Sequence, residues 1–494
     1  MELATSFLHD WLSHPEWWFD PTHQYDTLIL SRYDHLLELP PENTLTSLIV
    51  HDQLARHKYR NDPRAIHRHL QIALTIHHNL DPTTLSPQEW TFYALPIRHS
   101  NNPQAIFKIL QQAWKLPPSQ ALNNFLKATY NRLPLDQTPF LELNLPTLIH
   151  STPPSFIEYS HLLAYTPLHQ YPDTNSPLYH LFKTFLQEHN ITELILSLSG
   201  GVDSQVCSYI LTSLQRSIPF KLIALYINYN NRSIQEYFFV RDWCNSLNLP
   251  LYVRHITEIK RKPCMERNLR GTYETYTRNV RYHSYKAAWQ LAYLSSTTTP
   301  QVLLGHNKDD TFENILTNLA HKNHYDNLHG MTPLQTIDHI TFLRPLLSID
   351  KADLYQYAQT YGIPHLADST PSWSQRGQIR DTIKPTLTNW APAIIPSLFH
   401  LSQRLSDYSL CVEELITPFQ LPSFTLPDKP LYYTQLFWEA LFKKFSLPCS
   451  YKSLQNFLSA LKTKKTPRSI NLNKHTTLHL QSQLHITIVT LPKT

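Results

Sequence analysis

The sequence contains very little glycine. Only seven of its 494 residues are glycine, whereas an average content of about 7% would give roughly 35. All seven lie between Gly200 and Gly377. Glycine is most needed where a side chain cannot fit, in turns with positive φ and where backbone approaches a ligand closely. The distribution therefore indicates a ligand site in the middle of the chain. The alternative is that the flanks are helical repeats that need no glycine.

Paired cysteines and long apolar runs are also absent. None of the cysteines forms a C-x-x-C pair; they are Cys207, Cys244, Cys264, Cys411 and Cys449. We therefore expect reduced thiols in a cytoplasmic protein, without a structural zinc or iron–sulfur site. No apolar run reaches about 18 residues, so we expect no membrane span. The opening MELATSFLHDWL has two acids and no Lys or Arg, unlike an export signal.

The overall composition is that of a folded protein. Apolar residues make up 41% of the chain and charged residues 16%, with a net charge of +5. This apolar content is enough for packed cores. A mildly basic chain permits a nucleic-acid partner without establishing one. Short basic runs such as Lys260–Lys262 are either RNA contacts or solvated faces.

Hydrophobic periodicity predicts four regions in a multidomain chain. Residues 1–140 place apolar residues at helical spacing and predict an all-α domain of stacked helical hairpins, in which Asp62 before Pro63 is a helix start. Residues 141–178 read as a proline-rich linker.

The remaining regions differ from the first. Residues 179–395 alternate strands and helices, which predicts an α/β domain with a parallel sheet and helices on both faces. Residues 396–494 are helical and then end in short alternating strands, which predicts a small α+β domain.

The chemistry is concentrated at Ser199-Gly200-Gly201-Val202-Asp203-Ser204, which follows the strand ELILSLS and opens a helix. Here the turn and the helix N-terminus offer N–H groups and partial positive charge to a phosphate. Ser199 and Ser204 can donate hydroxyl hydrogen bonds, and Asp203 can orient the loop or bind Mg²⁺. The alternative is an exposed turn with an aspartate cap. The segment resembles the PP-loop of the N-type ATP pyrophosphatases, which implies cleavage of ATP between the α- and β-phosphates.

A second segment, Gly305 to Glu313, follows the strand QVLL. Its carboxylates, Asp309, Asp310 and Glu313, begin a helix, and Asp309 and Glu313 lie one turn apart on one face. Such a set suits a Mg²⁺ or acid–base site, but acids in a first turn also simply favour the helix dipole.

Arginines follow later in the chain. Arg376 and Arg380 lie four residues apart on one predicted helix. Two guanidinium groups on one face suit phosphate contacts, from ATP or from RNA. The alternative is a solvated basic face.

In order and spacing, these segments resemble the tRNA(Ile)-lysidine synthetase family over about residues 185–395, with a weaker continuation to about 490. The family pattern is SGG-x-DS, GH-x-x-DD-x-x-ET, RPLL, D-x-SN and R-x-x-x-R. The resemblance implies an adenine nucleotide alpha hydrolase-like PP-loop domain at 179–395 and a substrate- and tRNA-binding domain at 396–494.

The resemblance also implies a reaction. An ATP-dependent C–N ligase would adenylate O2 of the wobble cytidine (C34) in the anticodon loop of a CAU-anticodon tRNA(Ile), releasing pyrophosphate. The ε-amine of free lysine would then attack C2, and AMP would leave. ATP and Mg²⁺ are the implied cofactors.

The implied site residues form several sets. The catalytic set is Asp203, Asp309, Asp310, Glu313 and Arg278. The nucleotide set is Ser199, Gly200, Gly201, Val202, Asp203, Ser204, Gly305 and His306. The substrate and tRNA set is Arg281, Arg344, Asp368, Arg376 and Arg380. The Mg²⁺ ligands are Asp203 and Asp310.

The chain departs from the family pattern in places. Asn314 replaces a threonine, the loop AHKNHYDNLHG lacks the usual Arg-Gly-Ser-Gly, and Asp368-Ser369-Thr370 lacks the asparagine. These changes concern the identity of the amine and of the tRNA more than ATP binding.

The first region resembles a bacterial domain family of unknown function with a TPR-like fold. The shared motifs are Trp17-Trp18-Phe19, Asp52-Gln53-x-x-Arg56 and Pro96-x-x-His99-Ser100. Such residues are core and inter-helix pairs, or they line a groove that binds a protein partner or the tRNA. The nearby histidines have no matching set of acids or cysteines for a metal site.

Two other functions stay open. A tRNA 2-thiolation enzyme with a PP-loop would usually carry paired cysteines. A nucleotide-binding adaptor with a degenerate site would rely on its helical domain.

Overall fold

The computed structural model describes the chain in segments, which are residues 2–18, 23–133, 141–144, 162–163, 174–229, 234–320, 330–367, 372, 374–420, 423–425, 429–447, 449–463, 468–473, 476–482 and 485–490. They form two compact units. The first comprises Met1–Lys308 and Pro333–Asp368, and the second Asp309–Thr332 and Ser369–Thr494. The predicted boundaries at 140, 178 and 395 stay predictions, and most of the predicted linker lies outside the described residues.

The beginning of the first unit is helical. Its helices are α1 (Glu2–Ser13), α2 (Asp26–Tyr33), α3 (Leu45–Ile49), α4 (Ala55–Lys58), α5 (Pro63–Asn79), α6 (Pro87–His99), α7 (Pro103–Ala113) and α8 (Gln120–Tyr130). A π-helical turn, Val50–Leu54, connects α3 to α4. The Asp62 carboxylate accepts hydrogen bonds from the backbone N–H groups of Arg64 and Ala65, both at 3.0 Å, so the predicted helix start is confirmed. The TPR-like arrangement stays a prediction.

Strands and helices then alternate. The elements are β1 (Glu142–Asn144), β2 (Leu162–Leu163), α9 (Pro177–Glu188), β3 (Glu193–Ser197), α10 (Val202–Leu214), β4 (Lys221–Asn228), α11 (Ile234–Ser246), β5 (Leu251–His255), α12 (Arg261–Glu266), α13 (Arg270–Ala292), β6 (Gln301–Leu303), α14 (Lys308–Ala320), β7 (Leu334–Ile337), β8 (Ile340–Leu343), α15 (Lys351–Thr360) and β9 (His365–Leu366).

The first unit contains a seven-stranded sheet in the order β1-β5-β4-β3-β6-β8-β7. The five central strands are parallel, with Ile195 of β3 opposite Ile223 of β4 and Val302 of β6. The prediction of a parallel α/β sheet is therefore confirmed. Every residue of β4 after Lys221 is buried, as expected for a strand with both faces covered.

The two edge strands are antiparallel, which the sequence analysis did not predict. β1 pairs with β5 from within the predicted linker, with Glu142 opposite Val253. β7 and β8 form a hairpin. Its two loop residues, Asp338 and His339, both have positive φ, as a tight two-residue hairpin turn requires.

Tyr130, at the end of α8, connects the helical region to the α/β elements of the same unit. Its hydroxyl donates to the backbone carbonyl of Glu258 at 2.7 Å and accepts from Nε1 of Trp114 at 2.8 Å. The Tyr130 ring contacts the Tyr276 ring of α13 edge-on, at 5.0 Å between centroids. One apolar core continues through this junction.

The second unit has its own core. Beyond α14, its elements are α16 (Gln375–Gln378), a π-helical turn (Ile379–Ile383), α17 (Lys384–Trp390), α18 (Ile394–Ile416), β10 (Ser423–Thr425), α19 (Gln435–Lys444), α20 (Tyr451–Lys462), β11 (Arg468–Asn473), β12 (Thr476–Ser482) and β13 (His485–Thr490). The strands form an antiparallel sheet in the order β10-β13-β12-β11. Trp438, Phe437 and Phe457 are fully buried at its centre. Among the described residues, no helix is both long enough and apolar enough to cross a membrane.

We predict that Tyr130→Phe destabilises the protein. The change removes one hydroxyl that makes two buried hydrogen bonds, so the free energy of unfolding should fall by about 1–3 kcal/mol. Tyr451→Phe is the matched control, because Tyr451 is 69% exposed. Denaturant unfolding of both variants tests this prediction, and equal stability of the two would contradict it.

Candidate functional site

The turn between β3 and α10 is held in a conformation that needs glycine. Gly200 has φ of +84°, a backbone state that other residues rarely adopt. A β-carbon at this position would lie 2.7 Å from Cδ1 of Leu366 and 3.2 Å from Cγ2 of Val240. The Gly200 carbonyl accepts a hydrogen bond from the N–H of Leu366 at 2.9 Å. The turn therefore has little room to change.

The serine side chains bind the turn to the first turn of α10. The Ser204 hydroxyl lies 3.0 Å from the carbonyl of Gly201, to which it donates, and accepts from the N–H of Ser199 at 3.2 Å. Ser204 is buried, whereas Ser199 is exposed. The first N–H groups of a helix have no acceptor within the helix. The segment therefore presents backbone donors in a fixed geometry, which suits an anion.

Asp203 in the first turn of α10 is held by partners from distant parts of the same unit. Its carboxylate accepts from Nδ2 of Asn307 at 3.1 Å and from Nζ of Lys351 at 3.4 Å. Asn307 is fully buried, and the side chains of Lys351 and Asp203 are 23% and 21% exposed. This cluster places the ammonium group of Lys351 beside the turn from Ser199 to Ser204.

Gly305, just after β6, approaches the start of α10 closely. A β-carbon on Gly305 would lie 3.1 Å from the carbonyl carbon of Asp203 and 3.2 Å from the nitrogen of Ser204. The two glycine-containing segments that the sequence singled out therefore meet at one place.

His306, the residue after Gly305, lies next to Arg344. Nε of Arg344 donates to Nδ1 of His306 at 3.3 Å, and Nη2 donates to the side chain of Gln335 at 3.3 Å. Burial lowers the pKa of Arg344, which is 5% exposed. Arg344 is thus already hydrogen-bonded within the protein, although it was predicted to contact the substrate.

The two predicted arginines of α13 differ in environment. Arg278 is exposed. Arg281 is half-buried among tyrosines, including Tyr285, and its guanidinium lies 5.8 Å from the centroid of the Tyr282 ring. The Tyr285 hydroxyl in turn is 2.8 Å from the hydroxyl of Ser197 at the end of β3.

In the second unit, the acids of α14 bind basic side chains. Arg376 donates to Asp310 and, at 2.6 Å, to Oε2 of Glu313. Lys384 lies 2.8 Å from Asp309. The two acids that share a partner are therefore Asp310 and Glu313, whereas the sequence analysis grouped Asp309 with Glu313.

Arg380, predicted to bind phosphate beside Arg376, pairs with its neighbour Asp381 at 3.1 Å. Glu313 is 7% exposed. Burial raises the pKa of the Glu313 carboxyl, and the nearby Arg376 opposes this shift only in part.

The predicted substrate residue Asp368 and the predicted Mg²⁺ ligands remain to be placed. Asp368, and most of the loop that departs from the family pattern, lie outside the described residues. Asp203 belongs to the first unit and Asp310 to the second. No group of three or more histidines, cysteines or acids that could hold a metal ion occurs among the described residues. Mg²⁺ binding therefore stays a prediction.

Three of the five cysteines are buried, namely Cys207, Cys244 and Cys264. Burial raises the pKa of all three thiols, that of Cys264 to about 12. Reactive cysteines need thiolate character and access, so these three are unsuited to covalent sulfur chemistry.

The sequence analysis missed Asn307 and Lys351 as site residues. Asn307 could have been predicted, because it directly follows Gly305 and His306 in a motif that the sequence analysis had identified. Lys351 had no local signal, because it lies 148 residues from Asp203 along the chain.

Comparison with known proteins agrees with this geometry. Residues 174–387 match the family model described as a PP-loop domain. The tRNA(Ile)-lysidine synthase of Nitrosomonas europaea is 27% identical over 229 residues, which cover 45% of this chain and 46% of that protein. The tRNA(Ile)-lysidine synthase of Enterococcus faecalis is 22% identical over 304 residues, which cover 58% and 63%.

A third relative, the tRNA(Ile)-lysidine synthase of Symbiobacterium thermophilum, is 26% identical over 48% of this chain and 50% of its own length. The chain thus spans about half the length of the curated relatives that it matches. The resemblance to this family is confirmed for the region that they share.

We predict that Gly200→Ala destabilises the first unit. The positive φ and the contact with Leu366 should together cost about 1–3 kcal/mol of unfolding free energy. Gly271→Ala, in the first turn of α13, is the control, because a β-carbon there meets nothing within 4 Å. Thermal unfolding compares the two variants. An unchanged unfolding temperature for Gly200→Ala would show that neither the positive φ nor the contact with Leu366 requires glycine at this position.

The raised pKa of Glu313 predicts a pH dependence. The folded protein binds this proton more tightly than the unfolded chain, so the associated stability is present at low pH and is lost as the pH rises through the folded pKa. Glu313→Gln removes this titration. The unfolding free energy of this variant, relative to that of the wild type, should therefore increase as the pH rises above about 4.3, the ordinary pKa of a glutamate.

Denaturant unfolding across this pH range measures the difference. Glu414→Gln, at an exposed position of α18, is the control for the loss of a charge. A difference that stays flat or falls with pH for Glu313→Gln would contradict the shift.

Proposed function

We propose that this chain, whose residues 174–387 match a PP-loop domain, is an ATP-dependent tRNA-modifying ligase. In its specific form, the proposal is lysidine formation at C34 of a CAU-anticodon tRNA(Ile), with release of pyrophosphate and AMP.

The observation that carries the proposal is the turn from Ser199 to Ser204. Its glycine-dependent conformation, its helix N-terminus and its serine hydroxyls together suit the phosphates of ATP. The names of the relatives support tRNA as the acceptor, because all three are called tRNA(Ile)-lysidine synthase.

In the proposed first step, O2 of the cytidine forms a bond to the α-phosphorus of ATP, and the bond from that phosphorus to the bridging oxygen breaks. Pyrophosphate leaves with the bonding electrons. Backbone N–H groups of the turn and the Ser199 hydroxyl would hold the phosphates. Lys351, already beside Asp203, would offset the negative charge that develops on the leaving group.

In the proposed second step, the ε-amine of lysine attacks C2, and the C2–O bond breaks to release AMP. The amine must lose a proton to attack. Glu313 is our candidate for the acceptor, because burial raises the pKa of its carboxyl and makes it a stronger base than an ordinary glutamate. Asp309 and Asp310 are the alternative acceptors.

Mg²⁺, when bound, would neutralise charge on the phosphates. Asp203 and Asp310 are the proposed ligands, since carboxylate oxygens are what Mg²⁺ prefers. Each of these carboxylates contacts a basic side chain within its own unit, Asp203 with Lys351 and Asp310 with Arg376.

The proposed tRNA contacts rest on charge and exposure. Arg278 is exposed on α13 and suits a backbone phosphate. Arg281, Arg344, Arg376 and Arg380 already have partners within the chain. These four arginines would have to exchange those partners to bind RNA. Asp368, outside the described residues, stays a predicted substrate contact.

Thiolation is the less favoured alternative, because the sequence has no C-x-x-C pair and three of its five thiols are buried with raised pKa values. The adaptor alternative would bind ATP without turnover, and the same assay separates it from the ligase.

The test is an assay of pyrophosphate release with the full chain, ATP, Mg²⁺, labelled lysine and unmodified CAU-anticodon tRNA(Ile). We expect tRNA-dependent pyrophosphate release and labelled lysine in the tRNA. Asp203→Asn should reduce the rate at least about 100-fold, as the loss of a polar group in a preorganised site does. Asp353→Asn, at an exposed position of α15, should leave it unchanged.

The outcomes separate the alternatives. Pyrophosphate release that needs tRNA but not lysine would retain adenylation and reject lysine as the nucleophile. ATP binding without release would support the adaptor and reject the ligase.

A further inference from the structure

A cavity in the helical region is lined mostly by basic side chains. Its volume is about 290 Å³, and its lining residues are Trp18, Gln53, Arg56, His57, Arg60, Arg98, His99 and Arg132. All of them belong to the first unit. No carboxylate is among the lining residues.

Two carboxylates lie behind this lining and hold the basic groups in place. Asp52, fully buried, accepts from Nδ1 of His99 at 2.8 Å and lies 3.5 Å from Arg56. Asp26 accepts from Nδ1 of His57 at 2.7 Å and from Nη2 of Arg60 at 2.9 Å.

His99 also positions the most buried arginine of the set. Its Nε2 accepts a hydrogen bond from Nη2 of Arg98 at 3.2 Å. Burial lowers the pKa of His99, which favours the neutral ring that such a bond needs. Asp52, His99 and Arg98 therefore form a chain from the core to the cavity.

The guanidinium groups around the cavity repel one another. Burial, followed by the nearby Arg132 and Arg56, lowers the pKa of Arg98 to about 10, and Asp52 opposes this shift only in part. Burying guanidinium groups close together costs free energy. A bound anion would offset this unfavourable electrostatic free energy, so the cluster of arginines suits an anion-binding site.

The backbone supplies an independent observation. Asp52 and Gln53 lie on the π-helical turn Val50–Leu54. Such turns are rare and occur often at functional sites. Gln53 of this turn and Arg56 of α4, just after it, both line the cavity, and Asp52 of the turn supports Arg56 and His99.

We propose that this cavity binds a small molecule that bears a phosphate group. Four guanidinium charges against two carboxylate charges leave an excess of two positive charges, which matches a phosphate monoester of about −1.5 to −2. Arginine binds phosphate with two parallel hydrogen bonds. The volume lies near the lower end for small-molecule sites, about 300 Å³.

The test is calorimetric titration of the full chain with inorganic phosphate and with glycerol 3-phosphate, in phosphate-free buffer. Arg132→Gln should weaken binding about tenfold, the effect of losing one charge-assisted hydrogen bond. Arg132 is exposed, so this variant should fold. Arg98→Gln should abolish binding. Arg64→Gln, exposed on α5 and outside the cavity, is the matched control and should bind as wild type does.

Gly200→Ala distinguishes this cavity from the turn after β3 and should retain phosphate binding. The proposal is overturned if wild type binds neither probe, if Arg132→Gln binds as wild type does, or if Gly200→Ala abolishes binding. It is also overturned if Arg132→Gln weakens binding of tRNA but not of either phosphate probe. The result does not depend on the ligase reaction, so each proposal can fail without the other.

Discussion

The left-handed turn at Gly200 constrains everything around the candidate site of the first unit. Because a side chain there would meet Leu366 and Val240, the end of β3, the start of α10 and β9 can approach one another only with glycine in place. Gly305 adds a second close approach, against the backbone of Asp203 and Ser204. The N-terminus of α10 is therefore fixed by backbone sterics, and Asp203, Asn307 and Lys351 build on that position.

The sequence could predict what is local. The strand β3, the Gly-Gly turn and the helix α10 follow one another between Glu193 and Leu214, and the scarcity of glycine indicated both Gly200 and Gly305. It could not predict contacts between distant residues. Lys351 reaches Asp203 across 148 positions, and Arg376 binds Asp310 and Glu313 across more than 60. The edge strand β1 lies among prolines that favoured a linker, and tertiary pairing with β5 overrides that local tendency.

The first unit contains two arrangements suited to anions, built on different principles. The turn after β3 uses backbone donors and a helix N-terminus, which carry partial charges and cost little to bury. The cavity of the helical region uses full charges on arginines, so it needs Asp52 and Asp26 behind the lining to hold the side chains. The motif Asp52-Gln53-x-x-Arg56 first suggested an inter-helix pair. The structure shows the pair between Asp52 and His99, and it also shows that the pair supports a cavity.

The proposed role of the turn at Gly200 is cleavage of ATP between the α- and β-phosphates. Positional isotope exchange measures this directly, with ATP labelled by ¹⁸O at the non-bridging β-oxygens and incubated with the full chain, Mg²⁺ and tRNA in the absence of lysine. We expect the label to appear in the α–β bridge only when tRNA is present. Label that stays in place while ADP and phosphate accumulate would mean cleavage at the β–γ bond and would contradict the proposed role of the turn.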